Sequence, residues 1–238
     1  ADLTAINILD AHDRMNGTTL LADAEQGAPR LCQSCHADPA VMAPGKPGVL
    51  NFSTAIHGFH ANYLSGMYQE ACNMCHPSSA EGNTNCFRGR HSDVGIGCTE
   101  CHGTLEDHAL GLLATQPSIS ASARLARGLE PVYAYSKEEI KPRMPWLMEP
   151  DCRSCHTNFN IFEDGFAGTA FNIWAPGFEA LYRNRTDNHG VMCSACHGST
   201  HAVYGARNKY GLHRDNQQPL QYQCLAGTIG THGQCMVC

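Results

Sequence analysis

The sequence predicts a chain that is mostly coil, with short α-helices and little or no β-structure, folded around bound groups rather than around its own side chains. Three observations predict this. The 238 residues include 14 Cys and 14 His, while Phe, Trp and Tyr make up only 8%. That is little bulk for a core drawn from side chains alone. Segments 37–56 and 77–97 are rich in Gly, Pro, Asn and Ser and read as loops. One pattern of cysteine and histidine recurs along the chain, and each copy could anchor a group that fills the interior.

Charge and patterning exclude several classes. The formal net charge is −6, with no basic run and no Lys/Arg stripe, so no nucleic-acid partner is expected. No apolar stretch reaches the length of a membrane span. The opening residues Ala1-Asp2-Leu3-Thr4 lack the charged and apolar regions of a signal peptide and read as a processed end. Free thiols at this density are a hazard, so the cysteines are expected to be bonded.

The recurring pattern is Cys-x-x-Cys-His. It occurs five times, with Cys32, Cys35 and His36; Cys72, Cys75 and His76; Cys98, Cys101 and His102; Cys152, Cys155 and His156; and Cys193, Cys196 and His197. This is the attachment signature of c-type haem. Two thiols three positions apart lie on one side of a helical turn and can bond both vinyl groups of one porphyrin edge. The histidine that follows turns under the macrocycle as an iron ligand. Zinc sites use Cys-x-x-Cys without needing His next in sequence, and a disulfide framework has no use for that residue. At least five haem c groups are therefore expected, with fewer than fifty residues each. Short helices at the attachment sites, joined by loops, satisfy that density.

Nine histidines remain for the opposite face of each iron: His12, His57, His60, His91, His108, His189, His201, His213 and His232. Five haems need at most five, so bis-His ligation is expected, with the low potentials that follow from the absence of Met ligation. His57 and His60 share one helical face and can serve two neighbouring haems. His91 and His189 precede attachment motifs, and His108 and His201 follow them. His12 stands alone near the N-terminus.

Four cysteines lie outside the motifs: Cys86, Cys224, Cys235 and Cys238. The run Cys235-Met236-Val237-Cys238 reads as a sixth motif without its His. Either Cys235 and Cys238 hold a sixth haem, or the four cysteines form two disulfides.

The motifs begin at residues 32, 72, 98, 152 and 193, intervals too unequal for a solenoid. Residues 114–150 form the longest stretch without a motif. Ser118 to Arg127 is expected to be helical, and Pro142, Pro145 and Pro150 to prevent its continuation. The chain reads as one domain over 1–238. A subdivision would fall into a three-haem part, 1–113, and a two-haem part, 151–238, with 114–150 as linker.

The run Cys193-Ser194-Ala195-Cys196-His197-Gly198-Ser199-Thr200-His201-Ala202, with His189 before it and the pair His57 and His60, resembles multihaem cytochromes of metal-reducing microbes. Among these are secreted cytochromes that polymerise into extracellular filaments, the cytochrome nanowires. The resemblance implies bis-His haems stacked in alternating parallel and T-shaped pairs, and a distal His donated between subunits, for which His12 is the matching position. It implies a homopolymer at the cell surface or outside it, passing electrons to redox proteins or extracellular acceptors. The same flanks occur in soluble periplasmic shuttles. Nitrite and hydroxylamine oxidoreductases share the motifs but keep one iron open, often with Lys for the motif His. Here all five motifs end in His, so an electron-transfer protein is expected rather than an enzyme.

Overall fold

The first helix of the chain, α1 (Leu3–Asn16), buries none of its residues. It ends at Gly17, whose φ of 64° suits a residue without a Cβ. The Asp13 carboxylate accepts the backbone N–H groups of Leu20 at 2.8 Å and Leu21 at 2.9 Å, which starts α2 (Leu20–Glu25) back along α1. In this computed structural model, residues 3–39, 42–76, 91, 94–145, 147–156, 170–177, 180–182, 184–186 and 189–191 are described.

Beyond α2 come α3 (Phe52–Ala61), α4 (Gln69–Asn73), α5 (Thr99–His102), α6 (Leu105–Leu113) and α7 (Ser120–Arg127). Single 3₁₀ turns cover Cys32–Ser34, Lys137–Glu139 and Cys152–Ser154. No strand occurs among the described residues; Asp38 with Ala43 and Pro150 with Trp174 form isolated bridges. The chain is mostly coil with short helices, as the sequence predicts. The expected helix within 118–127 is α7. The loop expected over 37–56 is cut short, because α3 begins at Phe52. Asn51, read as a loop residue, is its N-cap and accepts the Thr54 N–H at 2.7 Å.

The core is thin and built of small side chains. Leu50, Ala61, Ala71, Leu105, Ala109, Leu110, Leu113, Leu129, Ile140 and Phe171 form one cluster, with a single aromatic among them. Helix α3 packs on α6, and Gly58 permits the approach: a Cβ there would stand 3.3 Å from Leu113 and Leu125. Leu129 and Ile140 come from the stretch 114–150, which therefore packs into the same cluster as α3 and α6.

Asp107 holds this core to its surroundings. Thr104 and Asp107 form a capping box at the start of α6. The same carboxylate accepts the Val132 N–H at 2.8 Å and the Tyr133 N–H at 3.2 Å, while Asp107 is 1% exposed. Asp107→Ala would remove the cap of α6 and the acceptor of the Val132 and Tyr133 N–H groups. The expected loss is about 2 kcal/mol, from the lost cap and the lost hydrogen bonds, read as a lower denaturant midpoint of the intact protein. A loss below about 1 kcal/mol would show that water or a neighbour replaces the carboxylate.

Candidate functional site

All four attachment motifs within the described residues adopt one turn. The backbone N–H of the motif His donates to the carbonyl of the first Cys: His36 to Cys32 at 2.9 Å, His76 to Cys72 at 2.8 Å, His102 to Cys98 at 2.9 Å and His156 to Cys152 at 2.9 Å. The second Cys donates to the same carbonyl, at 3.1 to 3.3 Å. This closed turn brings both thiols and the imidazole to one side of the backbone, the arrangement that two thioethers and an axial bond to one haem require. The eight motif thiols of these copies are unbridged.

Different anchors fix each turn. Cys72 lies in α4 and His102 ends α5. Gly103 follows His102 at φ 76°, and a Cβ there would stand 2.6 Å from Phe171 and 2.7 Å from Asp107. At the fourth motif Asp151 accepts the Arg153 N–H at 3.1 Å and pairs with Arg185 at 3.2 Å, both Asp151 and Arg185 being buried. The second, third and fourth attachment sites are neighbours. The Cys72 and Cys98 thiols act on one another, and burial, with the nearby Cys155 and Cys152 thiols, pushes Cys101 up to about 11.

The histidines stand in pairs. His12 faces His36 at 6.3 Å between ring centres, with planes 85° apart. His57 faces His76 at 6.3 Å, 4° from parallel. His91 faces His156 at 6.2 Å and 56°. Each pair joins one motif His to one His outside the motifs. An iron bonded by an imidazole on each side separates the ring centres by about 6.4 Å, from a metal–nitrogen bond of about 2 Å and about 1.2 Å more to each ring centre. The residues fit a bis-His haem in spacing as well as in kind. Among the described residues, no three His, Cys, Asp or Glu side chains gather as a bare metal ion needs.

Second contacts fix the tautomers. The Nδ1–H of His36 donates to the Leu50 carbonyl at 2.7 Å, that of His57 to the Ser53 carbonyl at 2.8 Å and that of His60 to the Ile56 carbonyl at 2.8 Å. A carbonyl only accepts, so the proton sits on Nδ1 and the Nε2 lone pair is left for a metal. His12 Nδ1 lies 2.9 Å from Thr18 Oγ1. Desolvation lowers His57 to about 4 and also lowers His12, His76 and His91. Desolvation thus favours the neutral form of these four imidazoles, the form a ligand must take.

The pairing assigns partners that proximity in sequence does not. His91 precedes the third motif but faces His156 of the fourth. His12 faces His36 of its own chain. This sets His12 beside a motif His of its own chain, whereas the resemblance implies a partner in a neighbouring subunit. His108 departs from the pair spacing. It lies edge-on to His57 at 4.6 Å and to His102 at 5.7 Å, and Arg143 Nη1 is 3.0 Å from its Nδ1 and 3.3 Å from its Nε2. Both of its nitrogens lie within reach of the guanidinium, and it stands beside the motif His102. His60, partly exposed, has Phe59 as its ring neighbour at 5.3 Å among the described residues. His189 is exposed. Cys193, Cys196, His197, His201, His213 and His232, and also Cys86, Cys224, Cys235 and Cys238, lie outside the described residues. Sequence reasoning missed Asp107 and Arg143. The Thr104-Leu105-Glu106-Asp107 capping pattern could have pointed to the first; no local pattern marks the second.

His57→Ala is expected to turn one low-spin haem high-spin in the EPR spectrum, with the number of attached haems unchanged. A fully low-spin spectrum would remove His57 from the ligand set. In the chain without a bound group, where the His57 imidazole is free to take up a proton, the folded state lowers its pKa from 6.5 to about 4, so its contribution to stability is complete above pH 6.5. That contribution should fall away as pH drops from 6.5 towards 4. Thermal midpoints measured across that range should slope less steeply in His57→Ala. No protein-family model, no curated protein and no solved structure matches the chain.

Proposed function

We infer that the protein transfers electrons through at least five covalently bound c-type haems, and that it does so as a subunit of an extracellular polymeric conduit. The observation that carries the electron-transfer reading is the repeated motif turn combined with imidazole pairs 6.2 to 6.3 Å apart. Haem iron supplies a one-electron couple between ferric and ferrous states when bound. The chain's residues do the rest. The motif thiols fix each macrocycle, and the neutral imidazoles of a pair close both axial positions. A closed iron has no coordination place for substrate, which favours an electron carrier over a nitrite or hydroxylamine oxidoreductase. The closeness of Cys72 to Cys98, and of Cys101 to Cys152 and Cys155, supports short steps between neighbouring centres.

Polymer assembly rests on the resemblance of the 193–202 run and of His57 and His60 to filament-forming cytochromes. No helix among the described residues is long and apolar enough to cross a membrane. A soluble periplasmic shuttle is the second reading, and the His12–His36 pairing favours it, because that pairing completes a site within one chain.

Intact mass of the native protein, combined with haem quantitation, should give five or six haems per chain. Fewer than four would refute the reading. Negative-stain electron microscopy of the same material should show filaments of regular repeat. Discrete particles at high concentration would replace the conduit with the shuttle.

A further inference from the structure

Arg143 is a half-buried cation whose counter-charge, Glu149, stands off from it. Among the described residues it makes no ion pair, and its Nε is buried without an acceptor. Its Nη1 lies against both nitrogens of His108, and its guanidinium carbon stands 5.3 Å from the centre of the Trp174 ring. Its backbone N–H donates to the Gly111 carbonyl at 3.0 Å, which ties it to α6. Glu149 acts on it only from beyond ion-pair distance and accepts the Tyr182 N–H instead. Burial lowers Arg143 to about 10, which leaves it charged at neutral pH. A guanidinium Nε–H buried without an acceptor is costly, so its retention calls for a partner or a task.

His108 connects this charge to the candidate haem ligands. Its ring lies 4.6 Å from His57, edge-on, and His57 faces His76 at 6.3 Å. We propose that Arg143 is a fixed charge that raises the reduction potential of the haem held between His57 and His76, a positioning residue acting through His108. The inference rests on the reading of His57 and His76 as axial ligands. On reduction one electron enters ferric iron, no proton moves, and the charge of the centre falls by one. A cation nearby in a low-dielectric interior therefore stabilises the reduced form over the oxidised form. The Nε without an acceptor also suits a haem propionate. In that arrangement too, loss of the guanidinium disfavours reduction.

The test is a spectroelectrochemical titration of the holoprotein. Arg143→Gln should move one macroscopic potential negative by about tenfold in the reduction equilibrium, about 59 mV for a one-electron couple. The haem count and low-spin spectrum should stay unchanged. Arg143→Lys, which keeps the charge but not the fork, should stay within about threefold of the parent. Unchanged potentials in Arg143→Gln, or equal shifts in both variants, would overturn the proposal. Should Arg143→Gln lose haem, Trp174→Glu sets a carboxylate against the guanidinium and should give the same negative shift; unchanged potentials there would overturn the proposal equally. A native chain with no attached haem would overturn the ligand reading and this inference together.

Discussion

The hydrogen bond from each motif His to the carbonyl of the first Cys organises the rest of the molecule. It closes a turn of five residues, and a turn of that length needs no tertiary support to set the relative directions of two thiols and one imidazole. Its four copies have the same geometry although one lies in an α-helix, one ends a helix and two are single 3₁₀ turns. The local chemistry is therefore independent of the fold around it. What the fold contributes is the second imidazole. Helix α3 delivers His57 to His76, α1 delivers His12 to His36, and a distant segment delivers His91 to His156.

The thin core follows from the same arrangement. Among the described residues, the packed side-chain interior is formed by α3, α6 and α7 with Leu50, Ala71 of α4 and a few residues between Leu129 and Phe171. Helix α3 carries His57, α6 carries His108, and Arg143 is bonded to α6 through Gly111. The best-packed part of the chain thus surrounds its most strongly desolvated histidines, where a neutral imidazole is maintained by low dielectric rather than by a carboxylate partner. Asp107 contributes from the opposite side of α6. By accepting from both Thr104 and the Val132–Tyr133 backbone, it joins the end of the third motif to the stretch that carries Arg143.

The two halves of the candidate site differ in how far they could be read from sequence. The motif turns were legible because their residues are contiguous, and a contiguous pattern is written as a string. The His57 and His60 spacing was legible for a similar reason, since helical periodicity is local. The identity of the imidazole partners was not. His91 and His156 meet through tertiary structure, and nothing near His91 in sequence names the fourth motif. Asn51 was read as a loop residue because the same side chain that stops a turn also caps a helix, and only the helix beyond it distinguishes the two. Arg143, between Pro142 and Pro145, offered no signal beyond chain breaking; its burial depends on Gly111, His108 and Trp174, all distant in sequence.

Helix α1 is where this division matters most for function. It carries His12 to within 6.3 Å of His36, yet none of its residues is buried, and Leu3, Ile8 and Met15 are exposed. Side-chain packing alone gives such a helix little reason to stay, since helices of this length are marginal without a buried face. Under the proposed function the missing face is the macrocycle, and the axial bond from His12 becomes the main tie between the arm and the rest of the chain. Attachment of haem and docking of α1 would then be a single event, whereas the α3–α6 core is packed by its own side chains. Under the proposed function, such a chain uses side-chain packing around His57 and His108, and metal–ligand bonds where α1 buries none of its apolar residues.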